Sequence, residues 1–269
     1  MKIVMTGATG HLGSLVLEEL LRRVPADRIA ITARHPEKAE KWRSRGVEIR
    51  YGDYDVPASL EEAFAGADTL LFISSPLRDE GARLRQHRAA VHAAAEAKVG
   101  RIVYTSIAYA ERGHLPLHGT HLATERLIRE SGLGYTILRN AYYMDIIDML
   151  GWRAALSGGV LLSPPGDWQF NTAAREDLAA AAAAVLTERG HEGRVYELTA
   201  ARPWRLGDLA RALSERSGRP VAHHADPAMK SDAYALFPLS EMAAVSPDLE
   251  RLAGAPLRGL KDWLADRGL

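Results

Sequence analysis

Met5-Thr6-Gly7-Ala8-Thr9-Gly10-His11-Leu12-Gly13 is the stretch that decides the fold. It follows a short apolar run, Ile3-Val4-Met5, and leads into an amphipathic one with Leu12, Leu15, Val16, Leu20 and Leu21. Strand, glycine turn and helix start therefore come in the order that a dinucleotide diphosphate site requires. Gly7 serves the tight turn, Gly10 lets the backbone approach phosphates, and Gly13 lets the helix pack close to the sheet. Thr9 and the unpaired N–H groups of His11, Leu12 and Gly13 then face the anion, aided by the helix dipole. The spacing is G-x-x-G-x-x-G, a variant of G-x-G-x-x-G, and a glycine-rich turn that binds nothing is the alternative reading.

Working outward, strand-like runs recur at Ile29–Thr32, Val47–Tyr51, Thr69–Ile73, Arg101–Thr105 and Tyr135–Leu138. Helical patterns fall between them: Pro36 suits a first helical turn, Ser59-Leu60-Glu61-Glu62 reads as a helix start, and Leu84–Lys98 is alanine-rich with helical spacing. This alternation predicts an α/β, Rossmann-type, doubly wound parallel sheet over residues 1–150. Gly158-Gly159 and Pro164-Pro165-Gly166 then punctuate the chain. A helix is expected at Thr172–Glu188 and a strand at Val195–Leu198, with 172–198 packing back onto the large domain. A helix at Leu206–Arg216, a short strand at Pro220–His223 and a mostly helical remainder complete a small C-terminal lobe. That lobe, mainly 151–269, is expected to close over the cofactor and bind substrate.

The 269 residues are 47% hydrophobic and 25% charged, an ordinary globular balance. Lys+Arg and Asp+Glu are both 34, so no net charge draws the chain to nucleic acid or an anionic membrane. The absence of cysteine excludes disulfides, thiolate metal sites and thiol nucleophiles. No apolar run is long enough to span a bilayer, and the first residues read as strand and loop rather than signal peptide. A cytoplasmic protein is expected, and a homodimer is left open.

The second strand is where an NAD site usually carries an acid for the ribose 2′-hydroxyl. Here it ends Ile31-Thr32-Ala33-Arg34-His35, with no carboxylate. The Arg34 guanidinium can pair with a 2′-phosphate, which favours NADP(H); a solvated arginine after a strand is the plainer alternative. Asp53 either reaches the adenine or forms a turn with Gly52. Ser74 and Ser75 end the fourth strand, lining the nucleotide groove or capping a loop. None of the nine tyrosines has a lysine four residues later: Tyr104 meets Ala108, Tyr109 Gly113, Tyr135 Arg139 and Tyr143 Ile147. Ketone reduction by a Tyr-x-x-x-Lys dyad is therefore disfavoured. Hydride delivery to a quinone, which gains aromaticity, or to a carbocationic dye needs less help with protons.

Met5–Gly13, Ala33-Arg34-His35-Pro36, Gly52-Asp53-Tyr54, Leu71–Ser75, Tyr104-Thr105-Ser106, His121-Leu122-Ala123-Thr124-Glu125, Tyr135–Tyr143 and His191-Glu192-Gly193-Arg194-Val195-Tyr196 occur in order. Together they resemble the NmrA-like atypical short-chain dehydrogenases, over roughly residues 1–224. Within that family the chain is most similar to the bacterial NADPH-dependent type 2 quinone reductases and the triphenylmethane reductases. The resemblance implies a Rossmann domain, a small lobe and a substrate cleft between them. It puts Ser106 with the cofactor contacts, and His121 where other members carry the lysine; Leu117 falls where the tyrosine would be. The tail after Asp226 is shorter than such reductases lead one to expect and carries no matching motif.

His118, His121 and Glu125 share a helix face, and the His121–Glu125 spacing lets the carboxylate hold the imidazole and raise its pKa. His121 contacts the nicotinamide ribose in that reading, or is a surface or interlobe histidine in the plainer one; a metal site has no further support and none is expected. Asn140 and Tyr143 follow the sixth strand, where ligands of such sheets bind, so Asn140 is expected at the nicotinamide and Tyr143 in the acceptor pocket. Packing is the alternative, more so for Tyr142 than for Tyr143. Trp168 either stacks on a flat acceptor or anchors its loop. The expected function is an NADPH-dependent reductase of a quinone-like acceptor, with His121, Asn140 and Tyr143 near the reacting centre. The alternative is a non-catalytic NADP-binding redox sensor that regulates a protein partner.

Overall fold

Seven parallel strands form the central sheet of the computed structural model, which describes residues 1–269. β1 (Ile3–Met5), β2 (Ile29–Ala33), β3 (Glu48–Tyr51), β4 (Thr69–Phe72), β5 (Arg101–Ile107) and β6 (Gly134–Asn140) lie in the spatial order 3-2-1-4-5-6. Arg194–Leu198 adds a seventh strand beyond β6. The order reverses between β1 and β4, and the C-terminal ends of the strands diverge there into a crevice. Every residue of β1, β2, β4 and β5 is buried, as a sheet covered on both faces demands.

The covering layers follow from the two-residue alternation of each strand. Ile3 and Met5 point to the face packed by α1 (His11–Arg23), while Val4 points to the other. On that first face Val16, Leu17 and Leu20 meet α7 (Arg175–Thr187), where Ala179 and Ala181–Ala184 are all buried. The alanine run is thus a close helix contact. On the second face α3 (Pro57–Phe64), α4 (Glu80–Glu96) and α5 (Pro116–Glu130) pack side by side, with Leu60, Phe64, Ala94 and Ile128 over Leu70, Phe72 and Tyr104. A four-residue helix, α2 (Glu40–Arg43), buries Trp42 at the far edge.

A third apolar cluster stands apart from the sheet. Met144, Ile147, Trp152, Leu161, Phe170, Leu209, Leu213, Phe237 and Trp263 belong to it. Three of its helices are α6 (Trp152–Gly158), Leu206–Ser217 and Leu260–Ala265. Two strand pairs stitch it together: Val160–Ser163 runs parallel with Ala222–Ala225, and Gln169–Phe170 antiparallel with Trp204–Arg205. The strand expected at Pro220–His223 starts two residues later, since Pro220 has no N–H for a ladder. The four residues between two glycines and two prolines, Val160–Ser163, had no strand signal long enough to be seen. The helix expected from Thr172 begins at Arg175, because Thr172–Ala173 first pairs with Tyr142–Tyr143 as a short parallel bridge. The tail also departs from a purely lobe-bound path: Leu249 and Leu252, on the helix Asp248–Ala253, return to the core beneath α7. No helix is long and apolar enough to cross a membrane.

Candidate active site

The crevice between β1 and β4 is occupied by the glycine loop. Gly7 has φ +66°, a backbone state that disfavours any side chain. Gly13 is needed for a different contact from the one its spacing suggests. A Cβ there would lie 2.1 Å from the Gly7 carbonyl oxygen and 2.9 Å from Ala8 Cα, so the helix packs on the loop's own backbone rather than on the sheet. No side chain caps α1, and its first internal bond runs from Ser14 N–H to Gly10 O (2.9 Å). The N–H groups of His11, Leu12 and Gly13 are left as donors for an anion.

A groove of about 440 Å³ runs from this loop across the ends of β2, β3 and β4. Gly7, Thr9, Gly10, His11, Leu12 and Gly13 line it, as do Arg34, Asp53, Ser74 and Ser75. Its length along four strand ends and its donor-rich centre fit a dinucleotide. Arg34 is exposed and makes no ion pair, so its guanidinium is free for a 2′-phosphate. Asp53 lines the groove while its carboxylate accepts from Asp55 N–H (3.0 Å), an Asx turn.

Ser74 and Ser75 are fastened from behind by groups that the sequence reading missed. The Ser75 hydroxyl donates to Gln86 Oε1 (2.5 Å), and Arg83 donates to Ser74 Oγ (3.0 Å). Ser75 N–H donates to His87 Nε2 (3.0 Å), so the imidazole proton sits on Nδ1 and is donated to Thr124 Oγ1 (2.8 Å). Burial, with the Arg83 charge, pushes His87 down to about 3. The available signal was three polar residues, Arg83, Gln86 and His87, at helical spacing within an alanine-rich helix, which also describes a solvated face.

A second cavity of about 340 Å³ adjoins the groove and is nearly all apolar, with Leu115, Ile146, Phe237 and Met242 in its wall. Tyr143 lines both spaces. Its phenol stands beside Asn140, the buried last residue of β6, and burial raises its pKa against the pull of Arg175. Tyr142, read as more suited to packing, also lines the apolar cavity and shares a hydrogen bond with Ser240 Oγ (2.8 Å). The bridge from Thr172–Ala173 to Tyr142–Tyr143 brings the start of α7 here. Arg175 lines the groove with its guanidinium carbon 4.2 Å from the Tyr143 ring centre, and it pairs with Asp145 of the apolar cavity.

Three sequence expectations change. Glu125 does not hold His121: it accepts from Ser106 Oγ (2.7 Å), Arg139 Nε (2.8 Å) and Arg129 (3.0 Å). Arg139 arrives from β6 with a full charge and outcompetes an imidazole on the same helix face. The His121 pKa accordingly falls well below its ordinary value, through burial and the Arg83 charge, instead of rising. His121 Nδ1 pairs instead with the Tyr104 hydroxyl (2.8 Å). Ser106, expected at the cofactor, is spent on Glu125 and lies outside the groove lining. His121 and Asn140 are buried and line neither cavity. His118 bonds to Leu115 O, and no three His, Asp or Glu side chains cluster as metal ligands. Trp168 donates to Pro164 O (2.8 Å) and packs edge-on to Tyr234, so it anchors its loop.

A wider concavity, about 880 Å³, lies between the helix Leu206–Ser217 and Lys261, and four of its rim charges pair as Arg211–Asp208 and Lys261–Glu215 (2.5 Å for the latter). It shares no residue with the glycine loop.

Comparison with known proteins agrees with this geometry. Residues 7–189 match the NAD(P)H-binding family. The chain is 42% identical to quinone oxidoreductase 2 of Escherichia coli (strain K12) over 221 residues, covering 82% of this chain and 76% of that one. It is 33% identical over 227 residues to an NmrA-like family domain-containing oxidoreductase of Aspergillus flavus, covering 82% and 73%. The crystal structure of Citrobacter sp. triphenylmethane reductase complexed with NADP(H) superposes with TM-score 0.90 at 40% identity, over 99% of both chains. The tail after Asp226, expected to be short and unmatched, therefore has a structural counterpart at nearly full length. The chain thus belongs to the NmrA-like, NAD(P)H-binding family and is an NAD(P)H-dependent oxidoreductase.

Proposed function

We propose that the chain passes hydride from NADPH to a flat, electron-poor small molecule, with quinones as the main acceptor class and triphenylmethane dyes as the second. The observation that carries this reading is the shared wall: the dinucleotide groove and the apolar cavity meet at Tyr143. NADPH is favoured over NADH by the free Arg34 and by the absence of a carboxylate at the end of β2. The names of the Escherichia coli and Citrobacter relatives support the two acceptor classes.

When bound, the nicotinamide supplies the hydride. The residues around it position and exclude water. The N–H groups at the start of α1 hold the diphosphate, and the Ser74–Ser75 loop, fixed by His87 and Gln86, holds the middle of the groove. Tyr143 places the acceptor ring against the nicotinamide end, with Asn140 setting the phenol's orientation. His121 is neutral and engaged with Tyr104, so it positions β5 against α5 and is a poor proton donor. The phenol of Tyr143 keeps its proton at neutral pH. An acceptor whose reduced oxygens take protons from water suits such a site.

The test is NADPH oxidation by purified protein with a series of simple quinones and one triphenylmethane dye. Saturable oxidation above the protein-free rate supports the proposal and ranks the acceptors. NADPH binding without acceptor-dependent oxidation would replace it with the redox-sensor reading.

A further inference from the structure

We infer that the Arg175–Asp145 ion pair sets how the site responds to charge on the acceptor, holding the entrance of the apolar cavity neutral so that neither cationic nor anionic ring systems are favoured there. The inference rests on the proposed reductase reading and refines its substrate class.

Asp145 is the only charged residue lining the apolar cavity. Left alone, a carboxylate in that wall would attract cations and repel anionic acceptors. Arg175 cancels it from the groove side, and its guanidinium carbon lies over the Tyr143 ring at the junction of the two spaces. Behind them Arg267 lies 3.4 Å from Asp145 and 3.7 Å from Asp148, and its guanidinium stacks 3.5 Å over Trp263. Two arginines thus face two aspartates, and the cluster sums to zero. Both members of the central pair keep some solvent contact, 20% for Arg175 and 42% for Asp145, so neither is a desolvated structural bridge. A half-exposed pair adds little to stability, which makes its place at the meeting point of cofactor and acceptor the more informative fact.

The consequence is a charge-specific response. Arg175→Gln leaves the rim with one net negative charge, and Asp145→Asn leaves it with one net positive charge. A unit charge ~7 Å from the bound ring, at an effective dielectric of ~40–80, changes affinity for a singly charged acceptor by roughly three- to eightfold. The ratio of cationic to anionic acceptor therefore moves by about tenfold or more, in opposite directions for the two variants, and the movement shrinks with added salt.

The experiment measures kcat/KM, and dissociation constants from the NADP⁺-loaded protein, for a neutral naphthoquinone, a naphthoquinone sulfonate and a quinone bearing a trimethylammonium group. The expected result is a shift toward the cation in Arg175→Gln, toward the sulfonate in Asp145→Asn, and none in Arg175→Lys. The double variant Asp145→Asn/Arg175→Gln is neutral again and should regain the wild-type ranking. An unchanged ranking in both single variants, or a uniform loss across all three acceptors, overturns the inference. Absence of turnover with every acceptor would overturn the reductase reading instead, while the binding constants still report the charge ranking.

Discussion

Gly13→Ala inserts one methyl group at the point where α1 rests on the glycine loop. The new Cβ would stand 2.1 Å from Gly7 O, 2.7 Å from Gly7 C and 2.9 Å from Ala8 Cα. Ordinary carbon contacts lie near ~3.5–4.0 Å, so the loop and helix must separate by about 1 Å or more. The obstructing atoms are all backbone, so no rotamer change relieves the overlap. Overpacking of this kind costs about 1–3 kcal/mol, less the roughly 1 kcal/mol that alanine gains over glycine inside a helix. A net loss of up to about 2 kcal/mol lowers the melting temperature by up to about 8 °C for a chain of this size. The larger effect is on the cofactor, because the displaced atoms carry the diphosphate donors. At NADPH concentrations a hundredfold above Kd the wild type should gain ~2.7 kcal/mol from binding, and the variant little of it. Gly10→Ala isolates the second effect. Its Cβ meets only Gly7 O, at 3.3 Å, so stability should hold while the methyl group intrudes on the phosphates. Gly119→Ala, on α5 with nothing within 4 Å, should be neutral or stabilising and bind NADPH normally. Thermal unfolding with and without NADPH, plus calorimetric titration, reads all three. A Gly13→Ala protein with the melting temperature and NADPH affinity of the wild type would refute the reasoning.

Four further outcomes are expected. Arg34→Ala should weaken NADPH binding by about tenfold while leaving NADH nearly unchanged, since an exposed guanidinium contributes roughly one charge-assisted contact; equal losses for both cofactors would remove the 2′-phosphate assignment. Tyr143→Phe should keep kcat within about threefold and Tyr143→Ala should lose tenfold or more, because the ring is a positioning wall and its hydroxyl is no acid; a phenylalanine variant as slow as the alanine one would make the phenol the catalyst. His87 is held at about 3 when folded and titrates near 6.5 when unfolded, so between those values the unfolded chain binds the extra proton. Its contribution is complete above pH 6.5 and falls by ~1.4 kcal/mol for each unit the pH drops below that, and His87→Gln should flatten the stability–pH curve by about one proton, as urea unfolding at pH 4–8 would show. Arg139→Met strips Glu125, with no solvent exposure, of its main partner and leaves Arg129 as the one charge beside it, with the Ser106 hydroxyl, at a cost of about 3 kcal/mol in urea unfolding. A loss under about 1 kcal/mol there would mean that the buried cluster is structurally idle.

The parallel sheet, the groove at its switch point and the arginine at its edge were legible because each depends on neighbours in sequence. A strand, a turn with Gly7 at positive φ and an uncapped helix start are consecutive residues, and their chemistry is local. Arg34 could be placed because it ends a strand whose neighbour carries the glycine loop. The alanine run in α7 was legible as helix packing for the same reason, although its partner, α1, is far away in the chain.

The site beyond the nucleotide was not legible in that way. Whether Glu125 pairs with His121, four residues on its own helix, or with Arg139 from β6 is a competition between a local and a distant partner. Only the fold brings Arg139 within 2.8 Å. The same holds for Ser106, taken by that carboxylate, and for His87, whose neutrality comes from burial under the sheet ends. The apolar cavity joins Leu115, Tyr142–Tyr143 and the segment Leu236–Met242, three stretches with no shared periodicity. Arg175 reaches Tyr143 because two residues at each place pair as a strand too short to leave a pattern. The sequence by itself therefore determined the sheet, the cofactor groove and its polarity, since hydrophobic alternation and backbone conformation are properties of adjacent residues. The tertiary structure alone decided which charges cancel, which histidines stay neutral and where the apolar cavity lies, since desolvation and ion pairing depend on distance through space.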